Sequence, residues 1–272
     1  MLRAITLAMA ILALASVCWA DPCPQQIPTT SWPGLTGLYI IPTARIVGPA
    51  KLAVGFNESK HTEFVQNGKY TDRQIRGVAT YGITDKLEIS AAYYNDMFTI
   101  PPGVEPQLHN QTFNSFGAKL QVLQEDPHHW FPAVSIGIRD IGDDTANVGP
   151  LRNVNNGRTG FIVASKKALR DDRIGRFMDC HAGLTFNEHA VTGLLGFELT
   201  LAPNASLIAE SLWDGPYLNF RRFGMDDQSG RYLFNVGLRI YPELVPGLVL
   251  DTGFIGDGEF EFSFAASYVI TL

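Results

Sequence analysis

Cysteine is scarce in this sequence, with only three among 272 residues. Small secreted scaffolds rely on several disulfides, so this count excludes a disulfide-stapled fold. Cys18 lies in a predicted export signal, which leaves Cys23 and Cys180 for the mature chain. We do not expect these two to form a bridge, because Cys180 lies on the apolar face of a predicted strand, beside Ala182 and Leu184.

Long apolar runs are also missing beyond the first twenty residues. The chain begins with Met1-Leu2-Arg3, continues as an apolar run from Ala4 to Val17, and then reaches the small-residue ending Cys18-Trp19-Ala20. A basic start, an apolar centre and a small-residue end predict a secretory signal peptide over residues 1–20, cleaved after Ala20.

Two other interpretations of this leader stay open. A single-pass anchor would need a longer apolar run and a basic flank, whereas Asp21-Pro22 follows. A lipoprotein would carry its lipid on Cys18, but Val17 before it is bulkier than such a site prefers. The rest of the sequence has no run near the length of a transmembrane helix, so we expect any membrane crossing to be made by strands.

Positive charge is in deficit, with 21 Lys and Arg against 27 Asp and Glu and a net charge of -6. This balance disfavours nucleic acid and anionic phosphate surfaces as partners. The length after the leader suits one large barrel or sandwich, so residues 21–272 require no second folded domain.

Catalytic and metal-binding motifs are missing too. The sequence has no Gly-x-Ser-x-Gly elbow, no His-Glu-x-x-His and no Cys-x-x-Cys. His181, His189, Glu210 and Ser211 could supply a lipid-hydrolysing triad, but no spacing singles them out. We therefore predict no enzyme, no cofactor and no metal site, and keep an outer-membrane lipid-modifying enzyme as a second alternative.

Period-two alternation of apolar and polar residues runs through several segments, as in strands whose two faces meet different surroundings. From Ser115 to Val122, one face carries Phe116, Ala118, Leu120 and Val122, and the other carries Ser115, Gly117, Lys119 and Gln121. Residues 231–240 and 260–270 alternate similarly, and helical spacing fits none of these segments. A soluble two-sheet sandwich would alternate in the same way with its apolar face inside.

Connection length separates the two architectures, because outer-membrane barrels have short periplasmic turns and long outer loops. We predict turns at residues 83–86, 125–128 and 242–246, a moderate loop between Glu58 and Tyr70, and long loops at 95–111, at 140–157 and through Asp226. Aromatic strand ends resemble the interfacial girdles of such barrels; they are Tyr93, Tyr94, Trp213 and Tyr268. We therefore predict an all-β, antiparallel transmembrane β-barrel of about twelve strands, roughly ten to fourteen, with both ends of the barrel chain in the periplasm.

Charged residues recur at mid-strand positions of the polar face, which a barrel turns toward its lumen. They are Arg76, Glu88, Lys119, Arg139, Glu198, Glu210, Arg239, Asp251 and Glu261. Their mixed signs predict a network of mutual pairs in a narrow lumen, although a path for small solutes stays open.

Three stretches carry a family resemblance: residues 34–44 (GLTGLYIIPTA), residues 133–142 (AVSIGIRDIG) and residues 205–211 (ASLIAES). The first looks like the opening motif of the YjbH-like outer-membrane family, and the other two are similar to its barrel strands. The resemblance implies an outer-membrane barrel that assists exopolysaccharide export or assembly, and it brings no catalytic residues. Gly34 and Gly37 permit turns and Pro42 cannot donate a ladder hydrogen bond, so the first stretch suits a strand edge or a segment tucked at the barrel mouth.

Together these observations predict a signal peptide at residues 1–20, an N-terminal lead-in at 21–49 and a barrel at 50–272. We expect a non-enzymatic protein of a Gram-negative outer membrane that assists exopolysaccharide export or envelope organisation. The first alternative is a porin-like small-solute channel. The expected partners are outer-membrane lipid and a polysaccharide or its export machinery.

Overall fold

The computed structural model describes residues 29–31, 34–65, 68–99, 108–126, 129–141, 158–171, 176–186, 191–213, 232–256 and 261–272. These residues form twelve β-strands, Lys51–Val65 (β1), Gly68–Gly82 (β2), Leu87–Thr99 (β3), Leu108–Leu123 (β4), Ala133–Ile141 (β5), Thr159–Asp171 (β6), Arg176–Phe186 (β7), Val191–Ala202 (β8), Ala205–Trp213 (β9), Tyr232–Ile240 (β10), Leu248–Gly256 (β11) and Glu261–Thr271 (β12). No helix in these ranges is long and apolar enough to cross a membrane. The predicted signal peptide and Cys23 lie outside the described residues.

The strands close into a barrel. Each strand pairs antiparallel with its neighbours in sequence, and β1 pairs with β12. Lys51 opposes Thr271 across this seam, so β1 begins and β12 ends at the same end of the barrel. The predicted all-β barrel of about twelve antiparallel strands is confirmed.

The two faces of the wall differ in polarity as the alternation predicts. Phe116 is 53% exposed on the outside, whereas its neighbour Ser115 is 2% exposed and faces inward. On the same strand Leu120 is 42% exposed and Lys119 is fully buried. An apolar outer face of this kind suits lipid, and the inward face carries the polar and charged side chains.

Two predicted loops are shorter than the sequence suggested. Residues 58–70 were expected to hold a moderate loop, but β1 and β2 pair as far as Val65 and Gly68. Likewise, β3 and β4 pair out to Thr99 and Leu108, inside the long loop predicted at 95–111. Backbone ladders do not require apolar side chains, so polar sequence at a strand end does not mark where pairing stops.

Connection lengths follow the predicted rhythm only in part. The longest connections, residues 142–158 and 214–231, both lie at the end opposite the start of β1. However, that end also carries the two-residue connection at 66–67, and the other end carries the longer one at 124–132.

The described residues that precede β1 lie inside the barrel. Residues 29–31 and 34–50, here called the plug segment, enter at the end where β1 begins, which we call the plug end. Two isolated bridges, Thr30 with Thr36 and Gly37 with Pro42, fold the segment back on itself. Gly48 has a φ of 93° where the segment leaves for β1, and its carbonyl oxygen lies where a Cβ on Gly82 would stand.

Candidate functional site in the barrel lumen

The plug segment supplies an apolar core to the lumen. Leu35, Leu38, Ile40 and Ile41 are at most 1% exposed. They cluster with inward-facing wall residues, namely Ala133, Phe161, Val163, Leu194, Ile208, Leu212, Ile255 and Ala265. Full burial of an aliphatic side chain contributes roughly 1.5–3 kcal/mol, so this core holds the segment firmly in place.

Glu88 on β3 and Lys119 on β4 fasten the plug segment through its backbone. The two charged groups lie 3.0 Å apart with no solvent exposure. Glu88 accepts hydrogen bonds from the Thr36 amide at 2.9 Å and the Val47 amide at 2.9 Å. Lys119 donates to the Thr36 and Thr43 carbonyl oxygens at 2.8 and 2.9 Å. Every one of these bonds involves a charged partner, which makes them stronger than neutral ones.

Glu210 on β9 lies across the barrel from Glu88 and binds Ile40 and Ile41, which we call the plug tip. Its Oε1 accepts from the amides of Ile40 at 2.8 Å and Ile41 at 3.0 Å. Its Oε2 accepts from Asn235 Nδ2 at 2.6 Å. The segment therefore reaches well into the barrel, deeper than the mouth position expected from the sequence.

Ala44 is fixed by three wall side chains. Its amide donates to Ser165 Oγ at 2.8 Å, and its carbonyl oxygen accepts from Ser135 Oγ and Gln121 Nε2, each at 2.8 Å. Near it, Arg45 Nη2 of the plug segment lies 2.8 Å from Asp179 Oδ1. These bonds add β5, β6 and β7 to the strands that hold the segment.

Two wall glycines leave room for the plug segment. A Cβ on Gly196 would lie 2.5 Å from Ile41 Cδ1 and 2.8 Å from Leu38 Cδ1. A Cβ on Gly55 would overlap Thr30 Oγ1. Larger residues at these inward positions would collide with the segment.

A second charged cluster braces the wall of β8, β10 and β11. Arg239 Nε and Nη2 donate to the two carboxylate oxygens of Asp251 at 2.8 and 2.9 Å, and Nη1 donates to Glu198 at 3.1 Å. Tyr241 donates to Glu198 at 2.7 Å. Burial raises the pKa of the Tyr241 hydroxyl above its usual range, and the negative charge of Glu198 raises it further.

The remaining predicted lumen residues lie apart from these clusters. The Arg76 guanidinium stacks over the Tyr94 ring at 4.4 Å. Arg139 is 5% exposed, with Nε 3.5 Å from Asp140 Oδ2. Glu261 begins β12, and its side chain lies outside the described part of the structure.

The triad candidates do not come together. Glu210 faces the lumen, whereas its sequence neighbour Ser211 lies on the other face of the strand. His181 Nδ1 lies 2.8 Å from Ser165 Oγ, and His189 is outside the described residues. In the described ranges no three His, Cys, Asp or Glu side chains are grouped to hold a metal ion. Cys180 is half-buried and forms no disulfide with any described residue.

A cavity of about 370 Å³ lies between the plug segment and the wall at the plug end. On one side it is lined by plug residues, including Leu38, Arg45 and Val47. On the other it is lined by wall residues, including His181 and Arg239.

The fully buried core that the plug segment forms with the wall is the feature that sequence reasoning missed. The apolar pairs Phe161-Ile162 and Leu194-Leu195, which place apolar residues on both faces of a strand, were its available signal.

The family comparison matches the chain where the plug segment begins. The family model for YjbH, described as "Exopolysaccharide biosynthesis protein YbjH", matches residues 29–145. The resemblance to the YjbH-like family is confirmed. The YjbH match covers the plug segment and strands β1 to β5. It therefore includes Glu88 on β3 and Lys119 on β4. The stretch at 205–211 lies beyond it.

Solved structures agree with the fold. The COG4313 outer membrane channel from Pseudomonas putida F1 is similar with a TM-score of 0.53 and 12% identity, over 92% of this chain and 99% of that chain. The translocator domain of the autotransporter NalP from Neisseria meningitidis gives a TM-score of 0.42 and 11% identity, over 82% and 88%. At these identities the first likeness concerns the fold alone and the second adds nothing to it. No curated protein matches the sequence.

Proposed function

We propose that this chain is a non-enzymatic outer-membrane barrel that assists exopolysaccharide export, and that its plug segment closes the lumen at rest. The observation that carries the proposal is the YjbH match, which spans the plug segment together with the strands that bear Glu88 and Lys119. A segment held by buried charges on β3, β4 and β9 suits a closed state that opens only when export requires it.

The location in the outer membrane is part of this proposal. Its support is the apolar outer face, with Phe116 and Leu120 exposed, and the likeness to outer-membrane barrels. The export signal at residues 1–20 would bring the chain to the periplasm, where β1 and β12 would begin and end.

Deletion and complementation test the export role. We expect a strain without this chain to lose surface exopolysaccharide while polymer or its precursors accumulate inside the cell, and the full chain to restore both. Matched assays of surface-bound, released and retained polysaccharide separate export from synthesis. If the surface polysaccharide is intact, and sensitivity to detergent or large antibiotics rises, the role is envelope organisation instead.

A small-solute channel is the second candidate, favoured by the cavity at the plug end and by a fold shared with a protein named as an outer membrane channel. In planar bilayers we expect little current from the intact chain and larger, more frequent openings from Lys119→Met, which loosens the plug segment. Absence of current from both would remove the channel candidate.

The non-enzymatic part of the proposal has its own test. Glu210 is committed to plug amides, and Ser211 faces away from it. Lipid composition and turnover should therefore be the same in cells carrying the wild-type chain, Ser211→Ala or no chain at all. Lipid products that depend on Ser211 would establish the enzyme alternative.

A further inference from the structure

The cavity at the plug end has a polar lining with equal numbers of positive and negative charges. Its charged lining consists of three cations and three carboxylates, Arg45, Lys51, Arg239, Asp85, Asp179 and Glu198. Four of the wall side chains that line it are buried: Asp179 is 1% exposed, and His181, Glu198 and Arg239 are each 3% exposed. A net-neutral lining does not favour a strongly charged ligand, since either sign would meet like charges.

His181 lines this cavity and carries a hydrogen-bond donor that no described residue uses. Ser165 Oγ accepts from the Ala44 amide at 2.8 Å, so its own proton is free to be donated to His181 Nδ1, also 2.8 Å away. With Nδ1 accepting, a neutral imidazole carries its proton on Nε2. That nitrogen is buried and has no hydrogen-bond partner among the described residues. A buried unsatisfied donor costs about 1–3 kcal/mol, which a ligand oxygen would recover once the ring turns this nitrogen toward the cavity.

Acceptors and an aliphatic surface stand beside this donor. Glu198 accepts one bond on each oxygen, from Tyr241 and Arg239, and each carboxylate oxygen has capacity for a second. Leu38, Ile46 and Val47 supply aliphatic surface to the lining. Closely spaced donors and acceptors next to an aliphatic surface match a sugar ring, whose hydroxyls both donate and accept while its C–H face is apolar.

We propose that this cavity binds a neutral mono- or disaccharide unit, with His181 Nε2 donating to a sugar oxygen and Glu198 accepting from a sugar hydroxyl. The volume of about 370 Å³ falls in the range of small-ligand pockets. The site is reached from the plug end, where Lys51 and Asp85 line it. This inference rests on the proposed export function, because a polymer leaving the periplasm would meet the plug end first.

The plug segment links such a site to opening. Leu38, Arg45 and Val47 line the cavity, and the same segment is fastened by Glu88 and Lys119. A bound sugar would therefore touch the element that closes the lumen.

Saccharide binding to the purified, folded full chain tests the inference. The probe is the neutral mono- and disaccharide fraction from partial hydrolysis of the producing strain's surface polysaccharide, followed by saturation-transfer NMR in detergent micelles. We expect binding by wild type, and affinity about tenfold weaker in His181→Leu and in Glu198→Gln, each having lost one ligand hydrogen bond. Ser115→Ala, an inward buried site that does not line the cavity, should bind like wild type.

Several outcomes overturn the inference. These are no binding by the folded wild type at millimolar sugar, equal binding by all four proteins, or preference for an acidic sugar fraction or inorganic phosphate over the neutral fraction. A heat-modifiable gel shift for each variant shows whether it is folded. If His181→Leu does not fold, the affinity of Glu198→Gln still decides the test. If binding fails while deletion still abolishes surface polysaccharide, the site is wrong and the export role stands.

Discussion

The wall of β3 and β4 and the wall of β8, β10 and β11 both bury oppositely charged residues, but they use them differently. On the first wall, Glu88 and Lys119 form most of their hydrogen bonds with the backbone of the plug segment. On the second wall, Arg239 donates its hydrogen bonds to Asp251 and Glu198, which belong to the wall itself. A buried ion pair therefore has no fixed role in this barrel: one pair fastens the plug segment and the other braces the strands.

Lys119→Met gives the largest expected effect and separates the two roles. Losing one partner of a buried pair costs about 3–5 kcal/mol, and here the loss falls on the plug segment. We expect a cysteine placed at Ala44, fully buried in wild type, to react readily with a membrane-impermeant maleimide once Lys119 is replaced. The native cysteines are changed to serine throughout.

Arg239→Met is the matched control. It also breaks a buried pair, so it should lower the unfolding temperature comparably while the cysteine at position 44 stays protected. Equal exposure of position 44 in both variants would contradict the division of roles between the two walls.

Gly196→Val tests the fit of the plug tip against the wall, with a medium effect. Its new side chain would meet Ile41 and Leu38, and overpacking of this kind costs about 1–3 kcal/mol. We expect partial labelling at position 44. Gly77→Val is the comparison, because a Cβ at Gly77 meets nothing within 4 Å. If both variants label alike, the plug tip is not packed against Gly196.

Tyr39→Phe gives the smallest effect and a pH signature. The Tyr39 hydroxyl lies 3.1 Å from the Glu58 carbonyl oxygen and 3.3 Å from that of Phe264, so its removal should cost about 1 kcal/mol at neutral pH. Burial raises the pKa of Tyr39 above its ordinary value of 10.0, with the charges of Asp251 and Glu210 adding to the rise and that of Arg76 opposing it.

The direction of the pH effect follows from this raised pKa. The neutral phenol is the form that the folded state favours, so its stabilisation is complete below pH 10 and is lost as the pH rises above that value. Labelling at position 44 should therefore increase above pH 10 in wild type and increase less in Tyr39→Phe. Tyr241→Phe, whose hydroxyl bonds Glu198 of the wall, should keep the wild-type increase. An unchanged increase in Tyr39→Phe would rule out Tyr39 as its source.

Alternation and turn signals were enough to predict the barrel, its strand number and the inward direction of Lys119 and Arg239, because period two alone decides which face a side chain takes. They could not distinguish the two walls. Whether an inward charge meets the plug or another strand depends on contacts between distant residues, such as Thr36 with Glu88 and Ile40 with Glu210.

The plug segment itself escaped prediction for a related reason. Its Gly and Pro residues indicate turns, and its apolar residues 38–41 are too few to indicate a strand or helix. Inward-facing apolar residues such as Phe161, Val163 and Leu194 hinted at an apolar body in the lumen, but within their strands they look like breaks in the alternation.

The continuity of the plug segment with β1 constrains how the barrel is assembled. The segment precedes every strand in the chain, yet Ser267 of β12 bonds its Thr30 at 3.0 Å, next to the seam that β1 and β12 close. The binding surface for the plug segment is therefore complete only when the last strand has paired with the first. Docking of the plug segment and closure of the barrel are thus coupled, so each contributes to the stability of the other.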